Sequence, residues 1–512
     1  MSDRLHHTFS SAFVRYAFAA TLVALVLVGS GREVVDGRAK LMFAVIAAGA
    51  FCLLAVAERG AFIGVLVLAA MNGLPFINNS SAVTHHVALQ DVACLALIAA
   101  ALAWRVTAQR GVAPTALGRS LSWCGLALLG WCVLIVGRTW AEGHAPLLGA
   151  IRFGRDFLYF GTLLIVLPRV RLRERDVKAL VAVLGLGVCL YAVGQIVTVE
   201  GFANPTWLVH AGTGTTLGVT RLFAEMTDLV SAGVAFGIAA VALTRGRAQF
   251  KTIPVTLLLV TSLILQLTRA RWIATITSVV LVSLWLVLAA DVRIAVTLRR
   301  RVAVFVGVLV GVVVILVLVA PGLISTGPLV QRVLSIFTSS SPSTNTLAVR
   351  QQVASEMTSL LGGHWLAGLG LVPPSVHYYP QFPSGSIRDP DVGVLNAVMT
   401  IGVVGAVLIY VPLIVTLVHC MRQARIKARV RFAWLNYGGQ IWIVATVASS
   451  ITLVTLFSPS GLVLTAVILA VLSQSSVTGA GEPPGPPNES EHSPDRPPPA
   501  ARDFSSAFGR PQ

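Results

Sequence analysis

Uninterrupted apolar stretches of membrane-crossing length recur along this chain, and they constrain its fold more than any other feature. A bilayer-crossing helix takes about 20 mostly apolar residues. Such stretches lie near 13–29, 41–57, 61–77, 87–104, 121–137, 153–168, 177–198, 222–244, 253–267, 272–290, 302–320, 392–418, 433–457 and 460–473. They are continuous rather than alternating, and lipid offers no partner to an open strand edge, so helices are expected rather than a barrel. The 512 residues are 55% hydrophobic and only 12% charged, more apolar surface than a soluble domain can cover. The expected class is all-α: a polytopic transmembrane helix bundle of 12–14 spans with one large extracytoplasmic loop. The first stretch has Arg4 and Arg15 at its start like a signal peptide. No small-x-small cleavage site follows, so it reads as an uncleaved first helix.

The formal charge of +17 would suit nucleic acid, but its distribution excludes that reading. The basic residues cluster in short connections: 105–119, 169–178, 245–251, 291–301 and 419–431 hold 3, 5, 3, 4 and 5 of them. The segment 321–391 holds only Arg332, Arg350 and Arg388. By the positive-inside rule the basic connections face the cytoplasm and anionic lipid headgroups. Both termini then lie on the cytoplasmic side of a cytoplasmic membrane and the long segment outside. Four regions follow: helices in 1–320, the loop 321–391, further helices in 392–473, and a proline-rich tail, 474–512, with little to bury. The cysteines Cys52, Cys94, Cys124, Cys132, Cys189 and Cys420 fall in or beside apolar spans, as small buried hydrophobes would.

Everything chemically unusual gathers on the expected outer side. In the long loop Val349, Val353, Met357, Leu360 and Leu361 share one helical face, and Gly362-Gly363 ends the pattern. Such a helix can lie on the membrane or pack against the spans. Arg269 and Arg271 occupy a short turn, where charge at membrane depth is costly unless paired or used. A guanidinium fork matches phosphate oxygens; snorkelling to headgroups is the plain alternative. Arg221 stands at the start of a span, with Glu225 one helical turn on as a pairing partner. Asp228, deeper still, needs a partner or a water-filled cavity. Asp389 and Asp391, after Arg388, stand before the 392–418 span. Either could take a proton from a sugar hydroxyl, and Asp391 could equally cap the helix. Of the outer histidines, His85, His86, His144, His210, His364 and His377, none shows metal-ligand spacing. His377, beside Tyr378 and Tyr379, is kept as a sugar contact.

With these residues in place, the chain resembles the O-antigen ligase and O-antigen polymerase superfamily of bacterial membrane enzymes. The resemblance covers roughly Arg221 to Gly405. Arg221 matches the arginine that starts a mid-chain span, and Arg269 or Arg271 with Trp272 the arginine before a later one. Arg350 matches the arginine-bearing helix of the large loop, and Gly368-Leu369-Gly370 its Gly-x-Gly turn. Leu395, Gly402 and Gly405 match the second half of a His-Asn-x-x-Leu motif with its downstream Gly-x-x-Gly. The family's histidine position is occupied here by Asp391, which is closer to the polymerase side.

The resemblance implies a glycosyltransferase working on polyprenyl-diphosphate-linked oligosaccharide, with a saccharide or lipid acceptor and membrane lipids as surroundings. Arg221, Arg269 and Arg271 would hold the diphosphate, Arg350 would assist, and Asp391 would be the base. Arg388, Asp389 and His377 are the remaining substrate contacts. Fixed positive charge would stabilise the departing diphosphate without a metal or other cofactor. Two alternatives stand beside this. A GT-C-type transferase would use Glu33 and Asp36 in the first outer loop. A lipid-linked saccharide transporter would carry polar groups at mid-membrane and internal repeats.

Overall fold

The computed structural model describes residues 58–71, 89–107, 114–199, 212–216, 219–223, 226–243, 247–266, 268–289, 346–372, 393–426 and 433–474. The helices are α1 Arg59–Ala70, α2 Leu89–Thr107, α3 Ala116–Ala141, α4 Leu147–Val166, α5 Glu174–Val199, α6 Thr227–Leu243, α7 Arg247–Leu265 and α8 Arg269–Ala289. Then come α9 Thr346–Leu361, α10 Gly393–Ile426, α11 Ala433–Ser450 and α12 Pro459–Leu472. Within the described residues every expected span carries a helix. The stretches 13–29, 41–57 and 302–320 lie outside them, as do most of the long loop and the tail. Three helices are long and apolar enough to cross a membrane: Ala116–Ala141, Glu174–Ile196 and Gly393–Gln423. Five more are apolar but shorter, among them Thr227–Leu243 and Pro459–Leu472.

Two expectations need correction. Residues Gly212–Thr216 and Val219–Phe223 form a short antiparallel hairpin, β1 and β2, in an otherwise helical chain that keeps the expected all-α class. The span expected from 222 begins at Thr227 instead, because Val219, Thr220 and Phe223 favour an extended backbone paired with the threonines of β1. Arg221 therefore lies on a strand opposite Gly214, not at the head of a helix. Second, α4 begins at Leu147, which places Arg155 and Asp156 in mid-helix rather than near its start.

The bundle is inverted relative to a water-soluble one. Large apolar side chains stay exposed along the outside: Trp123, Val133, Leu134 and Trp140 on α3, and Ile276, Val280, Leu284 and Leu288 on α8. In water such a surface would aggregate; in lipid it is the solvated face. The centre is α12, in which every residue from Ser460 to Leu472 is buried, as befits a helix apolar all round. It packs against α4, α1, α10, α6 and α11. The α3–α4 contact is a close backbone approach: a β-carbon on Gly125 would sit 2.5 Å from the Gly161 carbonyl oxygen.

Hydrogen bonds sort the helix ends into two groups. At one end Thr115 Oγ1 donates to the Ser473 carbonyl at 2.8 Å, the Leu172 amide to Gln474 Oε1 at 3.2 Å, and Arg59 to the Arg171 carbonyl at 3.5 Å. The other end holds Arg138, Thr139 and the segment 361–372.

There α9 ends at Gly362 (φ 48°), with Met357 and Leu361 buried, so this amphipathic helix packs its apolar face on the body of the protein. The chain then runs into a break in α10. Gly402 (φ 73°, ψ 176°) is not helical. The groups it releases from the helical ladder find partners. Leu369 N–H donates to the Met399 carbonyl at 2.7 Å, and Val403 N–H to the Trp365 carbonyl at 2.9 Å. Trp131 Nε1 donates to the Ile401 carbonyl at 2.8 Å. A broken helix is tolerated in an apolar bundle only when its exposed backbone is satisfied in this way. The bend is large. Gly393 lies against the Ser450 carbonyl, and Tyr410 hydroxyl bonds Ser450 Oγ at 2.8 Å. Seventeen residues of straight helix would hold those two points about 26 Å apart.

Candidate anion-binding site

Arg271 lies in the first turn of α8, where a cation opposes the positive end of the helix dipole. It is nevertheless buried, with 8% of its surface exposed. Asp228, in the first turn of α6, supplies the compensation: Arg271 Nη2 donates to Asp228 Oδ1 at 2.8 Å. Nη1 leans on Gln266 Oε1 at 3.4 Å. Since a guanidinium only donates, that contact fixes the amide's orientation and turns Gln266 Nε2 away, where it has no partner among the described residues. Behind it, on α7 and α5, Ser262 donates to Gln195 Oε1 at 2.5 Å. Helices that are otherwise apolar thus converge on a polar core.

The pair forms one wall of a narrow cavity of about 30 Å³ that opens to the outside. The hydroxyl-bearing residues Ser231, Thr275, Thr446, Ser449 and Thr465 line it, together with Trp442. Thr465 is 1% exposed and its hydroxyl has no partner among the described residues. The helices α6, α8 and α12 all present N-terminal turns to this space, through Asp228, Arg271 and Gly461. Three positive dipole ends and a guanidinium favour negative charge there. Gly393 opens α10 against the Ser450 and Leu453 carbonyls, next in sequence to the cavity residue Ser449.

A second polar cluster lies between α2 and α4. Arg155 Nη1 meets Asp91 Oδ2 at 2.7 Å and Tyr159 donates to Asp91 Oδ1 at 3.3 Å. Arg155 Nε stands 3.8 Å from Asp156. Both carboxylates are buried. At the loop end Arg138 bridges Glu142 (2.8 Å), the Gly368 carbonyl (3.1 Å) and His364 Nδ1 (3.3 Å). The Arg138 hydrogen bond holds the Glu142 carboxyl below its ordinary value.

Of the residues singled out from sequence, Arg271 and Asp228 are brought together, and Gly368 is brought against Gly402. Arg269 is the first residue of α8, Arg350 lies within α9 and Arg221 on β2; their side chains are outside the description. His377, Arg388, Asp389 and Asp391 lie outside the described residues altogether. Sequence reasoning missed Gln266, Thr465, Asp91 and Tyr159 as site groups. The available signal was polarity inside an apolar run, which Gln195 and Gln266 display as plainly as Arg271. No protein-family model matches the chain, and no curated protein matches it.

Proposed function

We propose that the protein is a membrane glycosyltransferase that moves saccharide from a polyprenyl-diphosphate carrier to a saccharide or lipid acceptor, outside the cytoplasmic membrane. The observation that carries this reading is the buried Arg271–Asp228 pair in a hydroxyl-lined cavity at three helix N-termini. A diphosphate leaving group gathers negative charge as its bond to the sugar breaks. A guanidinium fixed in a low-dielectric wall stabilises that charge with little reorganisation. The acceptor hydroxyl loses a proton, and Asp391 is the proposed base. It is tethered two residues before Gly393, a span of at most about 7 Å, and Gly393 abuts the carbonyl of Ser450, the neighbour in sequence of the cavity residue Ser449. The segment 364–371, seated in the α10 break, belongs to the loop that would keep water from the reacting centre.

The test is purified protein in lipid supplied with a lipid-diphosphate oligosaccharide, alone and with candidate acceptors. Self-elongation identifies a polymerase and transfer to another molecule a ligase. Arg271→Ala lowers turnover about 100-fold or more if the guanidinium acts on the transition state. Full turnover of correctly inserted Arg271→Ala and Asp391→Asn would sink these roles.

One observation favours a second reading. Broken helices with capped backbone are a transporter feature, and α10 is broken at Gly402. Movement of labelled lipid-linked sugar across vesicles with no new glycosidic bond would select the transporter.

A further inference from the structure

Asp228 and Arg271 make a neutral pair, yet their surroundings favour an anion. Arg271 has one short bond, to Asp228 Oδ1, and one long one, to Gln266. One buried group in the cavity wall has no hydrogen-bond partner among the described residues: Thr465 Oγ1. Its hydroxyl can donate to a ligand oxygen. An oxyanion arriving here must compete with a carboxylate already in place.

We infer that Asp228 is a built-in competitor for Arg271, a resident carboxylate that an incoming phosphate or diphosphate group displaces. This rests on the reading of the cavity as an oxyanion site and adds a source of selectivity to it. A carboxylate ligand would trade one carboxylate–guanidinium pair for another and gain little. A group with more charge and more acceptor oxygens gains the difference, and can also engage Thr465. The released carboxylate is not stranded. Thr275 on α8 lines the same wall with a hydroxyl, and Ser231, one turn along α6, can turn to the carboxylate the hydroxyl it now donates to the Thr227 carbonyl at 3.3 Å. The exchange makes Asp228 a specificity-determining residue, with phosphate-type anions admitted over carboxylates and halides.

The experiment uses the full chain in zwitterionic nanodiscs and inorganic pyrophosphate as the probe, with acetate as comparison. The wild type binds pyrophosphate in preference to acetate, Arg271→Gln binds neither, and Asp228→Asn binds pyrophosphate about tenfold tighter because the competitor is gone. Unchanged or weaker binding by folded Asp228→Asn overturns the exchange and makes Asp228 a mere support for Arg271. Since that variant leaves a buried guanidinium unpaired, a second measurement uses the wild type alone. At fixed pH, labelling of Asp228 by a membrane-permeant carbodiimide, read by mass spectrometry, accelerates when pyrophosphate is added. A rate that is unchanged or slower overturns the proposal. Absence of pyrophosphate binding in the wild type overturns both the exchange and the oxyanion reading; binding without exchange leaves the latter standing.

Discussion

At the scale of single residues the clearest constraint is Gly402. Its φ of 73° already excludes most side chains, and a β-carbon there would overlap the Leu366 carbonyl. Gly368 (φ 68°) faces it, with no room beside the Val398 and Met399 carbonyls. Gly402→Ala should cost more than about 2 kcal/mol, from left-handed strain plus a backbone clash. Gly143→Ala, with φ 71° but open space around it, should cost about 1 kcal/mol. Apparent melting temperatures in detergent would separate the two. Glu142 gives a pH prediction. Its carboxyl is held below the ordinary value in the folded protein, so its pairing with Arg138 contributes stability above the unfolded-state value. That contribution is lost as pH falls through the folded value. The pair is half exposed, so the difference between wild type and Glu142→Gln should stay under about 1 kcal/mol at neutral pH and vanish in acid. Much of this scale was legible in the sequence: the Gly-x-Gly turn, the Gly-x-x-Gly pair and the costly charge of Arg271 all stand out. Their partners were not. Asp228 is 43 residues from Arg271, and only the packing of α6 beside α8 brings them together.

At the scale of elements, periodicity and apolar length located the helices well, because a run of lipid-compatible residues has one good backbone conformation. They failed where tertiary pairing decides. Val219–Phe223 continues an apolar stretch in sequence but pairs as a strand with Gly212–Thr216. Likewise α10 reads as one long span, although Gly402 divides it. A glycine alone does not break a helix; here the freed groups have Trp131, Trp365 and Leu369 to bond with. Trp131→Phe should therefore act on the break rather than on either half. Losing its bond to the Ile401 carbonyl should cost about 1 kcal/mol. Amide exchange should speed up at Leu369 and Val403, while the α11 interior keeps its protection. Equal acceleration in both places would mean that the tryptophan serves only general packing.

At the scale of the whole molecule, the two groups of helix ends make the sidedness testable. In a background lacking native cysteines, Glu356→Cys on α9 should react with an impermeant maleimide from outside cells. Arg105→Cys at the end of α2 should react only after permeabilisation. The reverse pattern would invert the molecule and put Arg271 on the cytoplasmic side. Another consequence follows from the helix at the middle. At 14 residues α12 is about 21 Å long, short of the roughly 30 Å hydrocarbon layer. Its flank of Ser473 and Gln474 fastens to Thr115 and Leu172. Yet the ribosome makes it after all the other described helices. The packing of α4, α1, α10, α6 and α11 around a common axis is therefore completed only once α12 has been made.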